Sequence, residues 1–408
     1  MNILLINHYA GSPRHGMEYR PYYLAREWVK LGHKVKILAG SYSHVRSNQP
    51  SYVSGDCALE RIDNIDFYWY KTPAYFGNGL GRIMSMILFI WKVWKDAKKI
   101  AKSFKPDVVI ASSTYPMDIW PAERISKFCC AQLVYEVHDL WPLSPIELGG
   151  MSRWHPFIIW VQCAEDYAYK VADRVVSLLP KTFDYMRSRG MRDDKWDYVP
   201  NGVCLDDWRS FAPLPDSTNS VLLSVKKRGL PIVVYAGSHG LANSLDTLLD
   251  ASTLLQGKVE LLLVGTGPER HRLMRRVSSE NLTNVTMLPS IPKAAIPALL
   301  DQIDFAFLGL QPQPLFRFGI SPNKLFDYMM AGKPIIQSIN AGNDIVSEVG
   351  CGFTVMPNDS KAIVQAVDKL LKLTKYELLE MGNAGKSFVK NERSYEFLAK
   401  KMISILEK

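Results

Sequence analysis

Four places in this 408-residue sequence put chemically capable side chains directly after an apolar run. The run "VYEV" releases its chain into "HDLWP", so His138 stands where an imidazole can orient or polarise a hydroxyl or shuttle a proton. The same position equally suits a histidine that only bonds a loop carbonyl. The run "VVYA" leads into Gly237, Ser238, His239 and Gly240, whose backbone N–H groups at a helix start would make an anion site. "LLLVGTGP" repeats that pattern less specifically with Gly265 and Gly267. Neither turn continues as Gly-Lys-Ser/Thr, so neither is a P-loop. The fourth place, "ISPNKLFDYMMAG", reads as a short helix with Ser321 as N-cap, Pro322 at the first helical position and Gly332 as its stop. A lysine near that start, Lys324, opposes the helix dipole unless an anion lies beside it. A capped helix with a solvated lysine is the plain alternative.

A polar loop, "HYAGSPRHGMEYR", follows the first apolar run. Its glycines Gly11 and Gly16 allow close backbone approach to a ligand, and Arg14, His15 and Arg20 would add positive charge. It carries no GxGxxG fingerprint, so a dinucleotide site is not indicated.

The elements that position these residues alternate. Strand-length apolar runs ("NILLIN", "KVKILAG", "PDVVIASS", "AQLVYEV") are separated by amphipathic stretches such as "YRPYYLAREWVKLG", the rhythm of βαβ units and a parallel sheet. It restarts after Asp206 with "PIVVYAGS", "VELLLVGTG", "NVTMLPS", "DFAFLGL", "KPIIQS" and "GFTVMP". Between the two sets, "PNGVCLDDWRSFAPLPDSTNS" is weak in periodicity and reads as the hinge. The expectation is an α/β chain of two doubly wound, Rossmann-like parallel-sheet domains, 1–200 and 201–390, facing across a cleft. In such sheets ligands sit beyond the C-terminal strand ends.

Composition agrees, with 47% apolar and 22% charged residues and more chain than one core usually holds. Six scattered cysteines without metal-ligand spacing suggest reduced core thiols and a cytoplasmic setting. The first residues lack a basic leader and a cleavage site. The net charge of +9 is uneven: within 78–105, seven Lys and Arg face one acidic residue, Asp96. One local basic face, rather than a nucleic-acid surface, is the reading.

Taken together, "INHYAGSPRHGMEYRPYYLAREWVKLGH", "VHDLWP", "VPNGV", "VYAGSHGLANSLDTLLDA", "LLLVGTGP" and "SPNKLFDYMMAGKPII" resemble glycosyltransferase family 4, whose members have the GT-B fold. The likeness extends over essentially the whole chain and is nearest to the O-antigen and capsule branch that transfers N-acetylated amino sugars of the L-fucosamine type. It implies retaining, metal-independent sugar transfer from a UDP-sugar to a polyprenyl-diphosphate-linked saccharide. His138 would approach the donor sugar. Gly237–Gly240 and the helix start Ser321, Pro322, Asn323 and Lys324 would cradle the diphosphate, with Gly265, Gly319, Ile320 and Leu325 also on the donor side. Lys324 or Arg317 would neutralise the leaving group. Asp327 would stand at the second glutamate of the family's E-x7-E motif and grip ribose, and Ile291 would receive the base. The first loop, with Gly11, Arg14, His15, Gly16, Glu18 and Arg20, would serve the acceptor side, and helix 391–408 would cross back to the first domain. The first glutamate of the motif is missing: eight residues before Asp327 lies Gly319, and aligning on the Phe-Gly pair instead puts Arg317 there.

The basic segment "GRIMSMILFIWKVWKDAKKIAKSFK" then gains a role. Lys92, Lys95, Lys99 and Lys102 recur at helical steps beside Trp91 and Trp94, a pattern suited to the anionic inner leaflet. A core-facing helix with a solvated lysine face is the alternative. The apolar run Ile83–Trp94 is too short to span a bilayer, which takes about 20 residues. Two other functions fit the architecture: a UDP-N-acetylhexosamine 2-epimerase, and a UDP-binding partner subunit without turnover.

Overall fold

The computed structural model describes residues 1–50, 55–77 and 79–408; Asn78, the first residue of the basic segment, lies outside them. Two compact units form, Met1–Asn201 with Tyr395–Lys408, and Gly202–Ser394.

The first unit holds an eight-stranded sheet built from β1 (Asn2–Ile6), β2 (Lys34–Gly40), β3 (Cys57–Ile62), β4 (Ile65–Tyr70), β5 (Val108–Ala111), β6 (Gln132–Val137), β7 (Arg174–Ser177) and β8 (Trp196–Tyr198). The order is β3-β4-β2-β1-β5-β6-β7-β8. Every pair is parallel except β3 with β4. Helices cover both faces, so β1 has no solvent side: Ile3, Leu4, Leu5 and Ile6 are all fully buried. The C-terminal helix Tyr395–Leu406 packs on helix Arg20–Lys30, where Trp28 donates its indole N–H to the Ala399 carbonyl at 3.2 Å and Tyr23 stacks on Tyr395.

The β3–β4 hairpin falls in a region whose pattern reads as irregular. Its turn residues Asp63 and Asn64 both take positive φ, 48° and 62°. That is the two-residue turn that "RIDNIDF", flanked by apolar alternation, is suited to make.

The second unit is a six-stranded, wholly parallel sheet of β9 (Ile232–Ala236), β10 (Glu260–Val264), β11 (Val285–Leu288), β12 (Phe305–Gly309), β13 (Ile335–Ser338) and β14 (Gly352–Val355). Its order is β11-β10-β9-β12-β13-β14. Alternation along β9 sends Ile232, Val234 and Ala236 to one core and Val233 and Tyr235 to another, as a sheet layered between helices requires. The fold is therefore two Rossmann-like parallel α/β units. The segment 200–220, expected as a hinge, is not irregular throughout. Its polar end starts a helix, Asp216–Lys226, because Asp, Ser, Thr and Asn suit a first helical turn. The cysteines are not all core thiols either, since Cys130 and Cys163 are exposed.

Both sheets contain a switch point, where successive crossovers leave in opposite directions. In the first it lies between β1 and β5, in the second between β9 and β12. The loops at those strand ends are where such sheets bind ligands.

Candidate functional site

At the second unit's switch point, β9 ends in the turn Gly237–Gly240. Gly237 gives its N–H to the Val264 carbonyl and His239 gives its N–H to Thr266, at 2.9 and 2.8 Å. Two of the four N–H groups expected to hold an anion are thus used within the fold. A short 3-10 turn, Leu241–Asn243, rather than an α-helix, follows directly. The glycines have a steric reason. A Cβ on Gly265 would lie 1.8 Å from the Gly237 carbonyl oxygen, and one on Gly237 would lie 2.8 Å from Lys324 Cδ.

That second contact brings Lys324 into the turn. Its Nζ donates to the Tyr235 hydroxyl at 2.9 Å and to Asn243 Oδ1 at 2.8 Å, and it lies 4.6 Å from the Tyr235 ring centre. Tyr235 and Asn243 are fixed in turn, both donating to the Ser238 carbonyl. Burial without a carboxylate partner lowers the Lys324 pKa to about 8. A lysine drawn inward between two neutral groups is poised for an anionic ligand. His239, fully buried, has neither ring nitrogen hydrogen-bonded, and burial, Arg270 and Lys324 together lower its pKa to about 4.

Lys324 rides on helix Asn323–Met330, which starts one residue later than the sequence suggests. Pro322, not Ser321, is the N-cap, and no side chain caps it. Proline fits this place because it has no N–H to satisfy. The helix start therefore keeps N–H groups uncapped from within, an anion-binding feature. Gly332 ends the helix at φ 67°, as expected. Asp327, one turn on, is half-buried; burial raises its carboxyl to about 6, with Lys293 opposing. Ile291 packs half-buried against the apolar core on that side of the sheet.

The loop before this helix explains the missing glutamate. Phe316 accepts the N–H groups of Gly319 and Gly342, and Asn343 exchanges two hydrogen bonds with Ile320. Gly319 is thereby held at φ 96°, ψ 176°, a region essentially reserved for glycine. Arg317 is exposed, lies over the Phe318 ring and donates to the Pro314 carbonyl. Replacing Gly319 with Glu is expected to strain the loop by about 1–3 kcal/mol. The urea midpoint should fall, and nucleotide binding should not improve.

At the first unit's switch point, Asn7 after β1 donates to the Ser112 carbonyl after β5 at 2.6 Å, tying the two strand ends together. Ser112 donates to Glu136 Oε2 at 2.6 Å, and His138 Nε2 lies 3.0 Å from both Ser112 Oγ and that carboxylate oxygen. Arg20 holds the other oxygen, Glu136 Oε1, through Nε and Nη2 at 3.0 and 2.8 Å, and also donates to the Val199 and Pro200 carbonyls. On the far side of the ring, Glu18 Oε1 lies 3.6 Å from His138 Nδ1. Burial alone would lower the His138 pKa, but Glu136 and then Glu18 outweigh it and raise it to about 9. Burial likewise pushes the Glu136 carboxyl up, and Arg20 and His138 more than reverse this, holding it well below the usual range.

The expected acceptor-side cations are placed differently. Arg20 is buried and paired with Glu136, so its charge serves the fold and His138 rather than open solvent. His15 is buried on Trp69, hydrogen-bonded to Ser12, with its pKa lowered mainly by burial. Arg14 is exposed, 3.8 Å from Glu60. Gly11 and Gly16 are packing glycines: a Cβ on Gly11 would strike the Gly16 and Met17 carbonyl oxygens. Glu18 alone of this loop's charged groups faces His138.

The basic segment forms one 25-residue helix, Leu80–Phe104. Ser85, Met86, Phe89, Ile90, Val93, Ala97 and Ala101 face inward. Leu80, Met84, Ile87, Trp91 and Trp94 are exposed at alternating steps of four and three, one continuous stripe, with Phe76 just before it. Lys95, Lys98, Lys99 and Lys102 are exposed, but Lys92 is paired with Asp56 at 2.8 Å and does not join them. Among the described residues, no helix is long and apolar enough to cross a membrane.

Glu136, Ser112, Tyr235 and Asn243 go unmarked by sequence reasoning. For Glu136 a signal exists: it stands two residues before His138, hence on the same side of an extended chain. Ser112 and Asn243 belong to loops whose partners are distant in sequence, which no local pattern shows.

Residues 14–207 match a family described as Glycosyltransferase Family 4, and residues 230–373 match one described as Glycosyl transferases group 1. A search of curated proteins returns no match. Among solved structures, sucrose-phosphate synthase from Thermosynechococcus elongatus superposes with a TM-score of 0.73 at 18% identity, covering 100% of this chain and 98% of that one. HepE from Anabaena, in complex with UDP-glucose, gives 0.68 at 15%, covering 100% and 99%. WaaG, a glycosyltransferase involved in lipopolysaccharide biosynthesis, gives 0.65 at 13%, covering 100% and 99%. The likeness to these structures is one of fold, GT-B, and the two family matches, one over most of each unit, support a glycosyltransferase of the family 4 and group 1 kind.

Proposed function

We propose that this glycosyltransferase moves a sugar from a UDP-sugar donor to a polyprenyl-diphosphate-linked saccharide, with retention of anomeric configuration, at the anionic cytoplasmic face of a membrane. The observation that carries the donor half is Lys324: a partly buried cation on neutral partners, against a glycine turn and at an uncapped helix start. A diphosphate would accept from that amine and those N–H groups, and its charge would be neutralised as the glycosidic bond breaks. HepE, of the same fold, holds UDP-glucose. Asp327 is the residue for ribose hydroxyls and Ile291 for the base. Transfer of an N-acetylated amino sugar into an O-antigen or capsule repeat is the finer reading. It draws on the sequence resemblance and on the lipopolysaccharide role of WaaG.

The acceptor half is supported by the Leu80–Trp94 stripe beside lysines, the make-up of an interfacial helix. A panel of UDP- and other nucleotide sugars, offered with a lipid-diphosphate saccharide, tests the whole reading. The expected products are released UDP and a new glycolipid whose anomeric centre matches the donor's. Inversion would defeat retention; UDP binding without consumption of any donor would leave a binding subunit, and a 2-epimer of the donor an epimerase.

A further inference from the structure

The protons around His138 can be counted. Glu136 Oε1 is taken by Arg20, which donates twice to it. Glu136 Oε2 takes the single proton of Ser112, at 2.6 Å. With that proton used, Ser112 Oγ can only accept from its other neighbours, Asn7 Nδ2 at 3.4 Å and His138 Nε2 at 3.0 Å, and the carboxylate oxygen 3.0 Å from Nε2 can only accept as well. Both contacts of Nε2 therefore require a hydrogen on it. At the other ring nitrogen, the nearest charged group is the Glu18 carboxylate, 3.6 Å from Nδ1, which again favours N–H over a bare lone pair. A further titratable group coupled to the ring by charge is Asp118, fully buried, which accepts the Ser113 N–H at 2.8 Å.

We propose that Glu136, fixed by Arg20 and Ser112, is a positioning residue that holds His138 doubly protonated, with Nε2 anchored and Nδ1 offered as a hydrogen-bond donor. His138 then serves a sugar or phosphate oxygen as a donor and cannot act as a base, because neither ring nitrogen keeps a lone pair. Glu18, a third exposed, is the group such an oxygen displaces or joins. The role in transfer rests on the sugar-transfer reading above; the protonation state does not.

The test reads the ring directly. In the full ligand-free chain labelled with 15N-histidine, His138 should show both nitrogens protonated at pH 7, with its titration midpoint more than one unit above that of a free histidine. Glu136→Gln should lower the midpoint by at least one unit, a tenfold change in the proton-binding constant. In the transfer assay, the alkaline limb of its pH profile should move down by the same amount. If Glu136→Gln misfolds because Arg20 then faces a neutral amide, Glu18→Gln on the looser side of the ring takes its place. It should also lower the midpoint, and its neutral form should be the Nε2–H tautomer. A bare ring nitrogen at pH 7 in the unaltered chain, an Nδ1–H neutral form in Glu18→Gln, or a Glu136→Gln profile scaled evenly at every pH overturns the proposal.

Discussion

Replacing Lys324 with methionine lowers the transfer rate by about 10²–10³-fold, the usual loss when one fixed donor to a developing anion is removed. Methionine keeps most of the stem, so the chain still fills the space beside Gly237 and the turn stays packed. What goes is the ammonium between the Tyr235 hydroxyl and Asn243 Oδ1. Because both partners are neutral, nothing in that niche offsets the charge until an anion arrives. UDP affinity should therefore also fall, by tenfold or more, and a drop in rate with unchanged affinity would mean the amine meets only the transition state. The direction with pH follows from the lowered pKa of about 8 in the free protein. Below pH 8 the amine is charged and binds diphosphate well. Above it, binding must first recover a proton, so affinity falls as pH rises. Calorimetry near pH 8 in two buffers of different ionisation enthalpy should register net proton uptake on UDP binding, and Lys324→Met should abolish it. Uptake that persists in the variant would place the titrating group elsewhere.

Much of this was legible in the residues, and the failures share one cause. Strand runs and the Gly332 stop are local patterns, set by alternation and turn chemistry within a few residues. The hairpin turn at Asp63 and Asn64 is equally local, two positive-φ residues between strand-length runs. What no local pattern carries is where a charge finds its partner. Arg20 reads as an open cation in a polar loop, yet it is buried against Glu136, 116 residues away. Lys324 reads as a misplaced charge, and its reason is Tyr235, 89 residues earlier. Gly319 reads as the loss of a glutamate. In the fold it is a backbone requirement imposed by Phe316 and Asn343, so a glutamate restored there would meet strain before it met a sugar.

Reversing Lys95, Lys99 and Lys102 to glutamate releases the protein from anionic vesicles while leaving transfer to a short, water-soluble acceptor intact. Each lysine near an anionic surface contributes about 1 kcal/mol, so losing three attractive charges costs about 3 kcal/mol, over a hundredfold in partitioning, and reversal costs more. These three are the right set because Lys92 is occupied by Asp56, whereas they point outward from the C-terminal half of the helix. The apolar stripe provides an independent arm. Leu80 and Met84 are exposed and outside the buried face, so aspartate at both should weaken vesicle binding without unfolding the unit. The two arms differ in salt response. Attraction by lysines is screened over about 8–10 Å at ordinary ionic strength and fades further as salt rises, whereas burial of Leu80, Met84, Ile87 and Trp91 does not. Flotation with phosphatidylglycerol vesicles at low and high salt separates them, and neutral vesicles should retain only the apolar part. If triple reversal leaves flotation unchanged, the lysines are a solvated face and nothing more. If aspartate at 80 and 84 leaves it unchanged, the stripe belongs against another protein surface, where alternating steps of four and three would suit a partner helix.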